Sequence, residues 1–115
     1  MSRKHSLIII LLEKPLILVF CKNPVEGKVK TRLAASIGKK KALEIYQALL
    51  NKTALVLFDV EVDIQLYYSE HIDENDIFQN PRIIKKVQSG NDLGERMANA
   101  FKEGFHSHSP IIVIG

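Results

Sequence analysis

The run Leu16-Ile17-Leu18-Val19-Phe20-Cys21, bounded by Pro15 and Lys22, restricts the fold of this chain more than any other feature. A continuous apolar run has no polar side to turn to water, so as a strand it must be covered on both faces. Helices on both sides of a mainly parallel sheet supply that cover. The run therefore predicts an α/β three-layer sandwich in which it is the first core strand.

The remaining elements alternate as such a fold requires. Thr31 can cap a short helix through Ile37, which Gly38 ends in a left-handed conformation. From Lys39 to about Phe58, Leu43, Tyr46, Leu50, Thr53 and Leu57 recur at helical spacing, and Ala42, Ile45, Leu49 and Val56 widen the stripe. Val62 to Tyr68 begins with apolar and polar residues in alternation and reads as a second strand nearer the sheet edge. Glu70 to Gln79 is a loop or a weak helix, and Ile83 to Val87 is a third strand. Asp92 and Glu95 form a capping-box pattern before a helix to about Phe105, with Leu93, Met97, Ala100, Phe101 and Phe105 as its apolar face. Ile111 to Ile114 is a fourth strand. No internal repeat or linker divides the 115 residues, so residues 1–115 are expected to form one domain, with 1–15 as an apolar leader. Within that leader, Leu7 to Leu12 fits a further strand equally well.

The single cysteine, Cys21, cannot form an internal disulfide and suits a reducing cytoplasm. The early apolar stretch, broken by Glu13-Lys14-Pro15, falls short of the roughly 20 residues of a membrane span and has no small-residue cleavage site after it. A cytoplasmic protein without a membrane partner is expected.

The net charge of +3 is unevenly placed. Lys22, Lys28, Lys30, Arg32, Lys39, Lys40 and Lys41 stand against the single acid Glu26, whereas Asp59 to Asp76 carries seven acids and no lysine or arginine. Two solvated faces of opposite sign would give the same pattern. Position adds information, because ligands of open α/β sheets bind beyond the carboxyl ends of the strands, where two loops of this chain lie. In the first, Gly27 allows close backbone approach, Lys28 and Lys30 supply point charges, and Arg32 can fork two phosphate oxygens. The helix start after Thr31 would add its dipole. The loop lacks the Walker A and Rossmann glycine spacings, which removes kinase and dehydrogenase readings. A basic surface turn satisfies the same local pattern. The second loop, Gln88 to Met97, offers an amide, small residues that admit a flat base, and Arg96; a capped helix start alone would show nearly the same residues. Nucleic acid is not an expected partner, since no aromatic residues interleave the lysines of the basic patch.

Together, Lys22-x-Pro24-x-x-Gly27-x-x-Lys30-Thr31-Arg32-Leu33 and Gln88-x-Gly90-x-Asp92-Leu93-Gly94-Glu95-Arg96-Met97 resemble a bacterial family of glycosyltransferase-like proteins, described as nucleotide-diphospho-sugar transferases. The resemblance runs from Leu16 to Gly115. It implies a GT-A type fold whose amino-terminal half binds a nucleoside diphosphate, a triphosphate or a nucleotide-sugar. Lys22, Gly27, Lys28, Lys30 and Arg32 would then form the phosphate site, and Gln88, Gly90, Asp92 and Arg96 the nucleoside site, with Arg96 bracing either loop. Proteins of this kind continue past the fourth strand into an acidic turn expected to hold Mg2+ or Mn2+, and then into an acceptor-binding half. This chain stops at Gly115, so the resemblance implies a truncated enzyme with no metal or cofactor of its own; catalytic residues are not assigned. His106 and His108 are read as a solvated helix end, not as metal ligands. The alternative is a non-catalytic, oligomeric remnant or binding module. An apolar fourth strand at an open sheet edge predicts a homo-oligomer in either case.

Overall fold

A computed structural model describes residues 14–115; Leu7 to Leu12 and nearly all of the expected leader lie outside the described residues. The elements run β1 (Leu16–Cys21), α1 (Thr31–Ile37), α2 (Lys39–Phe58), β2 (Asp63–Tyr68), β3 (Ile83–Val87), α3 (Leu93–Gly104) and β4 (Ile111–Ile114). The four strands form one sheet in the order β3-β2-β1-β4, and every neighbouring pair is parallel.

β1 is covered on both faces because its alternate side chains enter different cores. Val19 and Cys21 pack with Ile64, Leu66, Tyr68, Phe78 and Leu57 of α2, with Ile17, Leu50 and Ala54 against them. Leu16 and Leu18 pack on the other side with Tyr67 and Ala100 of α3, joined by Phe20 and Phe101. The result is three layers. Burial of each large aliphatic side chain stabilises them by about 1.5–3 kcal/mol.

β2, which its alternation places nearer the sheet edge, is an inner strand like β1. It lies between β1 and β3, and all five residues from Ile64 to Tyr68 are buried, including Gln65. Alternation at its start suggested one wet face, but Tyr67 and Tyr68 bury aromatic rings on opposite sides, and strand order is set by non-local pairing. β3 takes the edge and carries Lys85 and Lys86 there, charges suited to an open strand. The Glu70 to Gln79 segment contains no helix. It is held instead by Tyr68, whose hydroxyl donates to the Asp76 carboxylate, and by Lys85, whose Nζ donates to Asp76 Oδ1 at 2.8 Å and to the Asp73 carbonyl at 2.7 Å.

In α2 the stripe of Leu43, Tyr46, Leu50, Thr53 and Leu57 is half-buried or buried as expected. Ile45, Leu49 and Val56 are instead 40%, 46% and 60% exposed. A helix of 20 residues is about 30 Å long and overhangs short strands, so not all of its apolar width reaches the sheet. Leu49 and Val56 border a groove of about 370 Å3 whose other side includes Ile114.

Asp92 caps α3 as predicted, its Oδ1 accepting the Glu95 N–H at 2.8 Å. The expected apolar face is only partly used: Leu93 is 62% and Phe105 56% exposed. Contact is made by Met97, Ala100, Phe101 and Gly104, which recur at turn spacing. Gly104 allows the close approach, since a Cβ there would lie 2.8 Å from Ile111 Cδ1 and 3.0 Å from Leu16 Cδ2. The predicted Thr31 cap does not form. Thr31 is the first residue of α1, and the cap position is Lys30, left-handed at φ 49 and ψ 48 with no side-chain cap bond. α1 has only seven residues, too few to lend a strong dipole.

Candidate functional site

The chain leaves β1 at Lys22, and both sides of that exit are clamped. The Lys22 N–H donates to the Tyr46 hydroxyl at 2.9 Å, and that hydroxyl donates to the Lys22 carbonyl at 2.9 Å, so α2 fixes the first residue of the loop. Burial pushes the Tyr46 phenol up from its ordinary pKa, which keeps it a donor. The next residue, Asn23, is 4% exposed. Its Oδ1 accepts the N–H groups of Glu70 and His71 at 3.0 and 3.1 Å, its Nδ2 donates to the His71 carbonyl at 2.9 Å, and its own N–H donates to Ser69 Oγ at 3.1 Å. Every polar group of the Asn23 side chain is thus used to tie the β1 exit to the β2 exit.

Beyond the clamp, Gly27 turns the chain at φ 85 and Val29 buries its side chain. Lys30 then takes its left-handed conformation and starts α1. That conformation costs a residue with a side chain about 1–2 kcal/mol, and glycine would occupy it freely. Backbone conformations of this cost cluster at ligand sites and switch regions.

The second loop is braced from below. Gln88 Nε2 donates to the carbonyls of Cys21 and Tyr67 at 3.2 and 3.1 Å, bridging the carboxyl ends of β1 and β2. Gln88 Oε1 accepts from Arg96 Nη1 at 3.2 Å, and Arg96 Nε donates to the Gly90 carbonyl at 3.0 Å. Gly90 has φ 145, and a Cβ there would lie 2.8 Å from the Arg96 backbone nitrogen. The glycine therefore lets the loop fold over the first turn of α3.

Between the two loops a cleft of about 1220 Å3 opens at the carboxyl ends of the parallel strands. Among the described residues its lining includes the cations Lys22, Lys30, Arg32 and Arg96, one carboxylate, Asp92, the amide of Gln88, and apolar surface from Phe20, Leu93 and Met97. Of the nine site residues read from the sequence, Lys22, Lys30, Arg32, Gln88, Asp92 and Arg96 line this cleft. Gly27, Lys28 and Gly90 do not. Gly27 lies against the Lys39 side chain, Lys28 Nζ is 3.9 Å from Glu70, and Gly90 packs on Arg96. Sequence reading missed Asn23, Tyr46 and Ser69. Tyr46 registered only as part of an apolar helical stripe, and Asn23 had one signal, a polar residue placed directly after a buried strand.

Cys21 also borders the cleft, but burial, with help from the Asp76 charge, pushes its thiol up to about 12. It is a neutral packing group. Among the described residues no three His, Cys, Asp or Glu side chains gather as a metal site. His108 pairs with Asp63 at 2.8 Å, away from the cleft. No helix among the described residues is long and apolar enough to cross a membrane.

No protein-family profile and no curated protein sequence matches the chain. Among solved structures it is similar to the crystal structure of a provisionally assigned nucleotide-diphospho-sugar transferase from Desulfovibrio desulfuricans G20, with a TM-score of 0.77 and 29% identity. The match covers 90% of this chain and 47% of that one, so the chain spans about half the length of that protein. With its parallel four-stranded sheet between helices, the chain has a GT-A-like α/β fold, that of a nucleotide-diphospho-sugar transferase over the matched part.

Proposed function

We propose that the cleft binds the phosphates of a nucleoside diphosphate, a nucleoside triphosphate or a nucleotide-sugar, and that the chain is the nucleotide-binding part of a glycosyl- or nucleotidyltransferase. The observation that carries this reading is the convergence of Lys22, Lys30, Arg32 and Arg96 on one cleft at the carboxyl ends of parallel strands, where open α/β sheets take their ligands. Lys22, Lys30 and Arg32 have no ion-pair partner among the described residues, so their charge is available to a ligand. Arg32 is suited to a bidentate grip on phosphate oxygens, the two lysines to point contacts. The apolar surface of Phe20, Leu93 and Met97 suits a flat base or a sugar face. Gln88 supports this site from behind, because its amide is already committed to Cys21, Tyr67 and Arg96. The similarity to a provisionally assigned nucleotide-diphospho-sugar transferase supports the same class.

Calorimetry with a panel of nucleotides and nucleotide-sugars tests the reading. Binding by at least one of them, weakened by Arg32→Ala, is the expected result, and silence across the whole panel would refute it.

A second reading, a non-catalytic oligomeric module, is favoured by one feature. Among the described residues β4 is an outer strand of the sheet, with Ile112 59% and Ile114 38% exposed, beside the exposed Leu49 and Val56 of α2. An apolar outer strand of this kind favours pairing with a second copy. Light scattering at micromolar concentration is expected to show a dimer or larger species, and a monodisperse monomer would remove the oligomer. Turnover of a nucleotide-sugar by this chain would remove the non-catalytic part.

A further inference from the structure

Transferases that resemble this chain are expected to hold Mg2+ or Mn2+ on carboxylates, and the donor set of the cleft does not fit such an ion. Among the described residues Asp92 is the only carboxylate in the lining, and its Oδ1 accepts the Glu95 N–H at 2.8 Å as the cap of α3. Four cations share the same walls. Glu70, at the exit of β2, is paired with Lys28 and is not part of the lining. A small hard cation demands near-octahedral oxygen ligation and parts with its waters reluctantly, and here it would meet a field dominated by positive charge.

We infer that this cleft selects the metal-free form of a diphosphate, so that Mg2+ competes with the protein for the ligand. The inference rests on the phosphate-binding reading above and deepens it by naming the ionic form bound. The reason is Coulombic. A divalent ion chelated across a diphosphate cancels two of its negative charges and occupies the same oxygens that Lys22, Lys30 and Arg32 are placed to grip. With one half-used carboxylate against four cations, the cleft recovers little from the metal in return.

The test is calorimetric titration of the full chain with inorganic pyrophosphate and with a nucleoside diphosphate, once in excess EDTA and once in excess Mg2+, with ionic strength matched by sodium chloride. Affinity in EDTA is expected to exceed that in Mg2+ by roughly tenfold or more, from the loss of charge on the ligand. Asp92→Asn keeps an oxygen acceptor for the α3 cap while removing the one negative charge. It is expected to bind the metal-free ligand more tightly than the parent and to retain the weakening by Mg2+. Equal or tighter binding in Mg2+ overturns the inference and leaves the phosphate-binding reading standing, as does an Asp92→Asn variant in which the Mg2+ complex alone is weakened. Absence of binding in both buffers overturns that reading and this inference together.

Discussion

Lys30 offers a perturbation in which stability and binding should move in opposite directions. Its backbone is left-handed, at φ 49 and ψ 48, while its side chain lines the cleft. Lys30→Gly removes a conformational cost of about 1–2 kcal/mol but restores about 0.4–1 kcal/mol of chain entropy to the unfolded state. The net gain is about 0.5–1 kcal/mol, which in a domain of this size raises Tm by roughly 3–6 °C. The same substitution deletes one of four cations. Lys30 is exposed, so its contact with a phosphate lies toward the aqueous end of the Coulomb range, about 1 kcal/mol, or roughly fivefold in affinity. Lys30→Ala separates the two effects, since it keeps the strained backbone and loses the charge: Tm should stay near that of the parent while binding weakens as in Lys30→Gly. Thermal melts and pyrophosphate titrations on the three proteins supply the data. A lower Tm for Lys30→Gly would show that the lysine is held for packing. A higher Tm with unchanged affinity would show that its charge does not reach the ligand.

Three other outcomes follow from the network around the cleft. Gln88→Leu leaves the carbonyls of Cys21 and Tyr67 without their side-chain donor and removes one of the acceptors of Arg96, which keeps the Gly90 carbonyl; urea unfolding should show a loss of about 1–3 kcal/mol, and an unchanged midpoint would argue that water replaces the amide. The Cys21 thiol, pushed up to about 12 by burial, should resist alkylation at mildly alkaline pH in the folded chain and react once urea unfolds it, so rapid labelling of the native protein would contradict the packing described. The hydrogen bond from His108 holds the Asp63 carboxyl below its ordinary range. That contribution to stability is present above the unfolded carboxylate pKa and is lost as pH falls through the depressed folded value. Because the Asp63 side chain is 43% exposed, the effect is modest: urea midpoints should fall more steeply on acidification in the parent than in Asp63→Asn, and identical profiles would remove the linkage.

Much of this architecture was legible in local pattern. The apolar run Leu16 to Cys21 required cover on both faces and received it from α2 and α3. The stripe through Leu50 and Leu57, the Asp92 cap and the β3 run also appeared where spacing and chemistry put them. These features depend on neighbours within a turn or a strand, so the order of residues contains them. Charge and glycine placement left both loops open to plainer readings; the pairing of their motifs, through the family resemblance, singled out Lys22, Lys30, Arg32 and Arg96, and these four line one cleft.

Long-range pairing settled the rest. It put β2 inside the sheet and buried it throughout, although its alternation suggested a place nearer the edge. It also decided which chemistry-bearing residues line the cleft. Gly27 and Lys28 share the first loop with Lys30 and Arg32, yet the turn at φ 85 directs them against Lys39 and Glu70. Gln88 carries an amide fit for a base, yet the carbonyls of two parallel strands end within its reach and take both of its donors. Asn23 and Tyr46, which no motif in the sequence marks as partners of the loop, became its clamp because Asn23 meets the exit of β2, some 46 to 48 positions along the chain, and Tyr46 meets Lys22 across 24. Hydrogen-bond partners so far apart along the chain are created only when the sheet forms, which is the physical reason that no local reading of this sequence contained them.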